Sequence, residues 1–175
     1  MSFLLLMMGI GAVSWVVQLL GGRGRDLRLA MRNGMAGGFL FTGIDHFVND
    51  TSRYLPMMPE FFGSLSLPLV WFTGAAELAG AVGLLLPLAW YRRLGLPNLR
   101  YWAGIGLALL LSLMVIANIN VAIRGSGVAG LEFGAWYFWL RPLFQPFIIA
   151  WALYAAGVLA RQSEAANGAT IASAS

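Results

Sequence analysis

An all-α integral membrane fold is the expectation for this chain, and three observations set it. Hydrophobic residues make up 59% of the 175 positions and charged residues 10%, against about 25% charged in soluble domains. The apolar residues gather into five stretches, each near the roughly 20 residues that a helix needs to cross a bilayer. The arginines mostly flank these stretches, as they do at the ends of membrane helices. Backbone N–H and C=O groups in lipid must be satisfied within the segment, which selects helices.

The first stretch, Ser2 to Leu20, has no positively charged leader, and the residues around Gly21 make a poor cleavage site. It reads as a retained helix, with a cleaved signal or an interfacial helix as alternatives. The second runs from Asn33 to about Asn49 and is short. The third is Pro68 to Trp90, the fourth Tyr101 to Ile123, and the fifth Ala135 to Ala160. Residues 1–32 thus form an N-terminal helix with a basic connection, 33–161 a four-helix membrane domain, and 162–175 a small polar tail expected to be disordered.

Between the second and third stretches, Tyr54, Pro56, Met57, Met58, Pro59, Phe61 and Phe62 are too apolar for a free loop. They are expected to lie at the outer interface or to cap the bundle. Residues 124–134 are glycine-rich. The letters Gly125-Ser-Gly127-Val-Ala-Gly130 match a dinucleotide fingerprint, but no strand precedes them, so that reading fails its context.

All eleven basic residues are arginine. Arg23, Arg25, Arg28, Arg32, Arg92, Arg93, Arg100 and Arg161 fall on one side if five helices cross, and Arg53 and Arg124 on the other. That asymmetry predicts an N-terminus outside and a C-terminus in the cytoplasm, with a bacterial inner membrane as the expected location. The net charge of +4 is accounted for by orientation, so no nucleic-acid partner is expected. There is no cysteine and a single histidine, which removes disulfides, iron–sulfur clusters and bis-histidine haem within one chain. No residues have metal-ligand spacing, so no metal site is expected.

Glu77 sits alone inside the third stretch. A carboxylate at that depth costs about three to ten kcal/mol, so it needs a cation, a proton or a ligand. Other polar groups share its depth: His46, Asn118, Asn120, Arg141 and Gln145. At 1.5 Å per residue, Glu77, Asn118, Arg141 and His46 all lie within roughly 14 Å of the outer helix ends. One outward-opening site is the economical explanation. Gly74, Gly80 and Ala81 share the Glu77 face and are small enough for close helix approach. Arg141 and Gln145 share a face. Asn118 and Asn120 cannot both face one point, and Asn118 is assigned to the site. A pair of Glu77 with Arg141 or His46 can equally lock the bundle without binding anything.

These residues also carry a resemblance. Gly-Ile-Asp-His46-Phe, Tyr54-Leu-Pro56-Met-Met-Pro59, Thr73-Gly-Ala-Ala-Glu77-Leu-Ala-Gly80, Gly83-Leu-Leu-Leu-Pro87, Ala117-Asn118-Ile and Leu140-Arg141-Pro-Leu-Phe-Gln145 occur in order from about Gly34 to Ala152. Together they resemble the DoxX family of small membrane proteins. The last motif departs from that family's Arg-Leu-Pro-Leu-Gln by displacing the proline. The resemblance implies a four-helix membrane bundle with one added N-terminal helix. It also implies a link to thiosulfate:quinone oxidoreductase and other membrane redox systems.

The resulting expectation is a membrane subunit of a redox system that meets quinone or lipid. Glu77 and His46 would exchange protons, with Asn118, Arg141 and Gln145 binding the ligand and Arg141 holding Glu77 charged. No redox centre is encoded, so whether the chain is itself an enzyme stays open. Quinone is the one cofactor implied, and none is covalent. The expected partners are the lipid bilayer and a membrane protein complex. A non-catalytic accessory subunit of such a complex is the alternative.

Overall fold

The computed structural model describes residues 2–22, 25–124 and 135–159. The Gly125–Gly130 stretch, Arg23, Arg161 and the expected tail at 162–175 lie outside the described residues. The described residues are helical, without strands. The helices are α1 (Ser2–Leu20), α2 (Leu27–Val48), α3 (Ser66–Leu85), α4 (Leu88–Arg93), α5 (Leu99–Arg124) and α6 (Ala135–Ala156).

α2 begins six residues before the expected Asn33, because Asp26 caps it: its carboxylate accepts from the Leu29 amide at 2.9 Å. Arg28 and Arg32 therefore belong to the helix and not to a loop. Hydropathy marks where a helix can meet lipid, whereas the cap marks where the backbone ladder starts. Gln18 binds the same corner, donating to the Asp26 carbonyl (3.2 Å) and accepting from its amide (2.9 Å). Asn33 donates to Ser14 at 2.8 Å. α1 and α2 pack so closely that a side chain on Gly34 would meet the Met7 and Gly11 backbones, and one on Gly38 would meet Met7 and Phe3. The Gly34/Gly38 face is internal packing.

The third stretch is not one helix to Trp90. Pro87 removes an amide donor and forces Leu86 extended (ψ 131°), so α3 ends at Leu85 and Trp90 sits in the separate α4. The carbonyls freed at this break find donors. Tyr91 Oη donates to Gly83 at 2.9 Å and Arg100 donates to Leu86 at 2.8 Å. α6 runs through Pro142 and Pro146 and is followed by Gly157 at φ +83°, a left-handed position suited to glycine.

α2, α3, α5 and α6 close a ring in which each touches the next, and α1 packs on α2 from outside it. The ring interior holds Phe39, Ala81, Leu84, Leu107, Leu111 and Ala152, all buried. Its outer surface is apolar, with Phe72, Leu109, Leu113, Leu143 and Phe147 exposed. Among the described residues, three helices are long and apolar enough to cross a membrane: α1, α3 with the turn before it, and α5. Five had been expected. α2 and α6 have 22 residues each, but Arg28, Arg32, Asp45 and His46 in one, and Arg141 and Gln145 in the other, lower their hydropathy.

Residues 49–65 form three short turns, Asp50–Tyr54, Leu55–Met57 and Glu60–Leu65, laid over one end of the ring. Met57 packs with Val121, Ala122, Tyr137 and Phe138, and Asn120 donates to its carbonyl at 3.2 Å.

α2 and α3 meet most closely at Gly43 and Gly74. A methyl on Gly74 would lie 2.6 Å from the His46 Cβ and 3.1 Å from the Gly43 carbonyl oxygen. Gly74→Ala is expected to cost about 1–3 kcal/mol by overpacking, read in detergent as a melting temperature lower by several degrees. Gly106→Ala, with nothing within 4 Å of the new methyl, is the control and should not fall. Equal melting temperatures for the two variants would rule out the close approach.

Candidate functional site

The Gly43–Gly74 contact brings the inner face of α2 within hydrogen-bonding reach of Glu77. Thr42 and His46 are four residues apart, hence on one face, and both meet that carboxylate. Thr42 Oγ1 lies 2.6 Å from Glu77 Oε2, and His46 Nδ1 lies 3.6 Å from the same oxygen. Glu77 and His46 are each 2% exposed, so these partners stand in for bulk water. His46 Nδ1 is 2.8 Å from the Thr42 carbonyl. A carbonyl only accepts, so Nδ1 carries the proton and Nε2 is the free acceptor of the neutral ring.

The Thr42 hydroxyl has a single proton and two acceptors in reach, Glu77 at 2.6 Å and the Gly38 carbonyl at 3.2 Å. With Glu77 ionised, that proton points to the carboxylate. With Glu77 protonated, the carboxyl donates to Thr42 Oγ1, whose own proton turns to Gly38. Both charge states are therefore hydrogen-bonded in the same geometry, and the site can take up or release a proton without leaving a buried polar atom unpaired.

A second cluster lies beside it. Asp45 accepts from Asn49 (2.5 Å), from Tyr54 Oη (2.9 Å) and from Arg53 in an ion pair. The Tyr54 ring stacks on His46 with centroids 3.7 Å apart and planes at 25°. Burial and the Asp45 carboxylate push the Tyr54 hydroxyl well above its ordinary value, so it remains a neutral donor. The turn at Asp50–Tyr54 is thereby tied to α2 and covers His46.

All five expected residues line one cavity of about 160 Å³: Glu77, His46, Asn118, Arg141 and Gln145. Thr42, Asp45, Arg53 and Tyr54 line it too, with Phe39, Leu111, Met114, Phe144 and Ile148 as apolar wall. Phe41 also lines it and is 55% exposed on the apolar outer surface, so the cavity reaches the side of the bundle. It is smaller than the roughly 300–1,000 Å³ of ordinary ligand pockets and suits a head group better than a whole molecule. Among the described residues, no three of His, Asp and Glu gather as a metal-ligand set.

One expected pairing is corrected. Arg141 does not hold Glu77: among the described residues it forms no ion pair with Glu77 or any other carboxylate. α6 packs against α2 and α5, which sets Arg141 across the cavity from α3. Its Nη1 is buried with no hydrogen-bond partner. The amides are divided. Asn118 donates to Gln145 Oε1 at 3.1 Å, Gln145 donates to the Leu111 carbonyl at 2.8 Å, and Asn120 serves the Met57 turn instead.

Reading the sequence for polar groups at depth missed Thr42, Asp45, Arg53 and Tyr54. Thr42 carried a usable signal in its spacing of four from His46. Asp45 stood inside the Gly-Ile-Asp-His46 motif without being singled out. Arg53 had been counted only as an orienting charge, and Tyr54 only as part of an interfacial or capping segment and of a resemblance motif.

Residues 35–156, more than half of the chain, match the model of a family described as a domain of unknown function, DUF8561. The chain belongs to the DUF8561 family. The matched region runs from within α2 to the end of α6, so it contains every polar residue of the cavity, while α1 precedes it. No curated protein and no solved structure matches the chain.

For the DUF8561 site, Thr42→Val is expected to cost about 1–3 kcal/mol by leaving a buried Glu77 oxygen without its donor. Thr42→Ser keeps the hydroxyl and should restore most of that loss. Thermal unfolding of the detergent-solubilised variants measures it. A valine variant as stable as the serine one would mean that this hydroxyl does not support Glu77.

Proposed function

We propose that this protein is a membrane-embedded subunit of a redox system, and that its cavity holds the head group of an amphipathic carbonyl compound of the quinone class. One observation carries the reading: Arg141 lines the cavity, and one of its guanidinium nitrogens is buried without a hydrogen-bond partner among the described residues. A buried cationic donor without a partner is costly. A ligand carbonyl oxygen there would accept from it without adding a net charge.

The opposite wall supports the same chemistry. Thr42 and Glu77 stay hydrogen-bonded with or without a proton on Glu77, and His46, bonded to the Thr42 carbonyl, lies 3.6 Å from the same carboxyl oxygen. In this reading Arg141 binds one carbonyl oxygen and the Glu77 group supplies or receives the proton of the other. Reducing a quinone to a quinol takes two electrons and two protons, of which the Glu77 group supplies one and water supplies the other, to the oxygen held by Arg141. The chain has no cysteine and one histidine, so the electrons come from a partner protein. All five long helices then cross a bacterial inner membrane, N-terminus outside, as in the bundle the DoxX resemblance implies. The polar side chains of α2 and α6 favour this arrangement, because His46 and Gln145 are buried inside the ring and not turned to lipid.

Equilibrium binding of decylubiquinone to the purified protein tests the reading. Saturable binding is expected, weakened roughly tenfold or more in Arg141→Gln, since hydrogen bonds to charged groups contribute about 1.5–3 kcal/mol. Glu77→Gln should retain binding and lose quinone-dependent turnover in the native membrane. Absence of saturable binding, or equal affinity in Arg141→Gln, would defeat the quinone reading and leave the non-catalytic accessory subunit, for which Glu77 only ties α3 to α2.

A further inference from the structure

The end of the ring opposite the cavity gathers positive charge that no ion pair among the described residues neutralises. Arg28 and Arg32 lie on successive turns of α2, and Arg100 lies in the first turn of α5. Arg32 is within electrostatic reach of both Arg28 and Arg100. All three are half-buried. None of them forms an ion pair among the described residues. The Nε atoms of Arg28 and Arg100 are closed off from solvent without an acceptor.

Each neighbour that helps hold the cluster leaves its charge uncancelled. The Arg28 guanidinium sits 5.1 Å over the Tyr154 ring, a contact that positions a cation without removing its charge. Arg100 donates to the Leu86 carbonyl at 2.8 Å. Asp26 is the one carboxylate among the described residues that reaches Arg32, and one of its oxygens is already used in capping α2. The first turn of α5 contains no acidic residue.

Like charges drawn together and partly desolvated repel one another, so the arrangement calls for an anion. Arginine selects among anions. Its planar fork matches phosphate oxygens in pairs of hydrogen bonds. We propose that Arg28, Arg32 and Arg100 form a phosphate-binding site that takes the head group of an anionic phospholipid. The same chemistry would accept free phosphate. The neighbourhood favours the lipid, because Trp90, Leu94 and Leu96 are exposed at the same end as the three arginines. Apolar and basic side chains mixed in this way are the usual companions of a head group and its chains.

The full chain in dodecyl maltoside, with phosphatidylglycerol, phosphatidylcholine or inorganic phosphate added, decides the matter by thermal unfolding and by native mass spectrometry. Phosphatidylglycerol is expected to raise the melting temperature and to remain bound, while phosphatidylcholine does neither. R28Q/R32Q should weaken that binding by roughly fivefold for each arginine removed, and R92Q/R93Q, changing exposed arginines at the same end, should leave it unchanged. Equal stabilisation by inorganic phosphate alone would assign the same site to the free anion. Equal effects of the two lipids with none from phosphate would overturn the proposal. So would an R92Q/R93Q loss as large as that of R28Q/R32Q, because diffuse surface charge would then account for everything. Should R28Q/R32Q fail to fold, R32K decides in its place, since it keeps the charge and loses the fork. Weaker phosphatidylglycerol binding supports the site, and unchanged binding overturns it.

Discussion

The burial of Glu77 is the constraint on which the remaining architecture depends. A carboxyl group at 2% exposure has exchanged water for whatever the protein supplies, and the supply comes from one neighbouring helix. Thr42 and His46 can reach it only because α2 and α3 touch through two glycines, Gly43 and Gly74, whose missing side chains remove the steric barrier. A wider separation would leave the carboxyl dry and unpaired. The contact therefore acts on two levels. It sets the distance between two helices, and through that distance it sets the hydrogen bonding of the most costly group in the chain.

From that contact the ring distributes its polar groups asymmetrically. Thr42 bonds Glu77 on the α2–α3 side with His46 bonded to the Thr42 carbonyl, and Asn118 and Gln145 tie α5 to α6 on the other. Arg141 is left facing the space between them. The short turns at residues 50–57 close over this end, fastened by Asp45 to Arg53 and Tyr54 and by Asn120 to Met57. A polar site in an apolar bundle must be enclosed, or its hydrogen bonds would compete with water. The far end needs no such enclosure, and there the arginines, the Pro87 break and the short α4 meet. The two ends thus present different chemistry, a small polar-lined cavity at one and a cationic surface at the other.

Much of the site was legible in the sequence, for a reason that also defines what was not. In a chain with 10% charged residues, a buried polar side chain stands out against its neighbours, so Glu77, His46, Asn118, Arg141 and Gln145 were identifiable by isolation alone. Helical periodicity then separated Asn118 from Asn120. Thr42 and Tyr54 did not stand out, because a threonine or tyrosine in an apolar helix or loop is ordinary, and only proximity to Glu77 and His46 makes these two matter. The pairing of Glu77 with Arg141 was the natural choice from charge and depth. It was overturned by the order of helices around the ring, which no local pattern encodes.

The sequence by itself determined the helical class, the approximate position of each long apolar helix and the residues that had to be sheltered. These follow from composition, spacing and the cost of polar groups in an apolar setting, all local quantities. Tertiary structure alone decided that Thr42 rather than Arg141 serves Glu77, and that three arginines from two helices converge at one end. Each of those depends on which helix lies beside which, a relation between residues distant in the chain. It is set by how side-chain shapes fit together once the helices already exist.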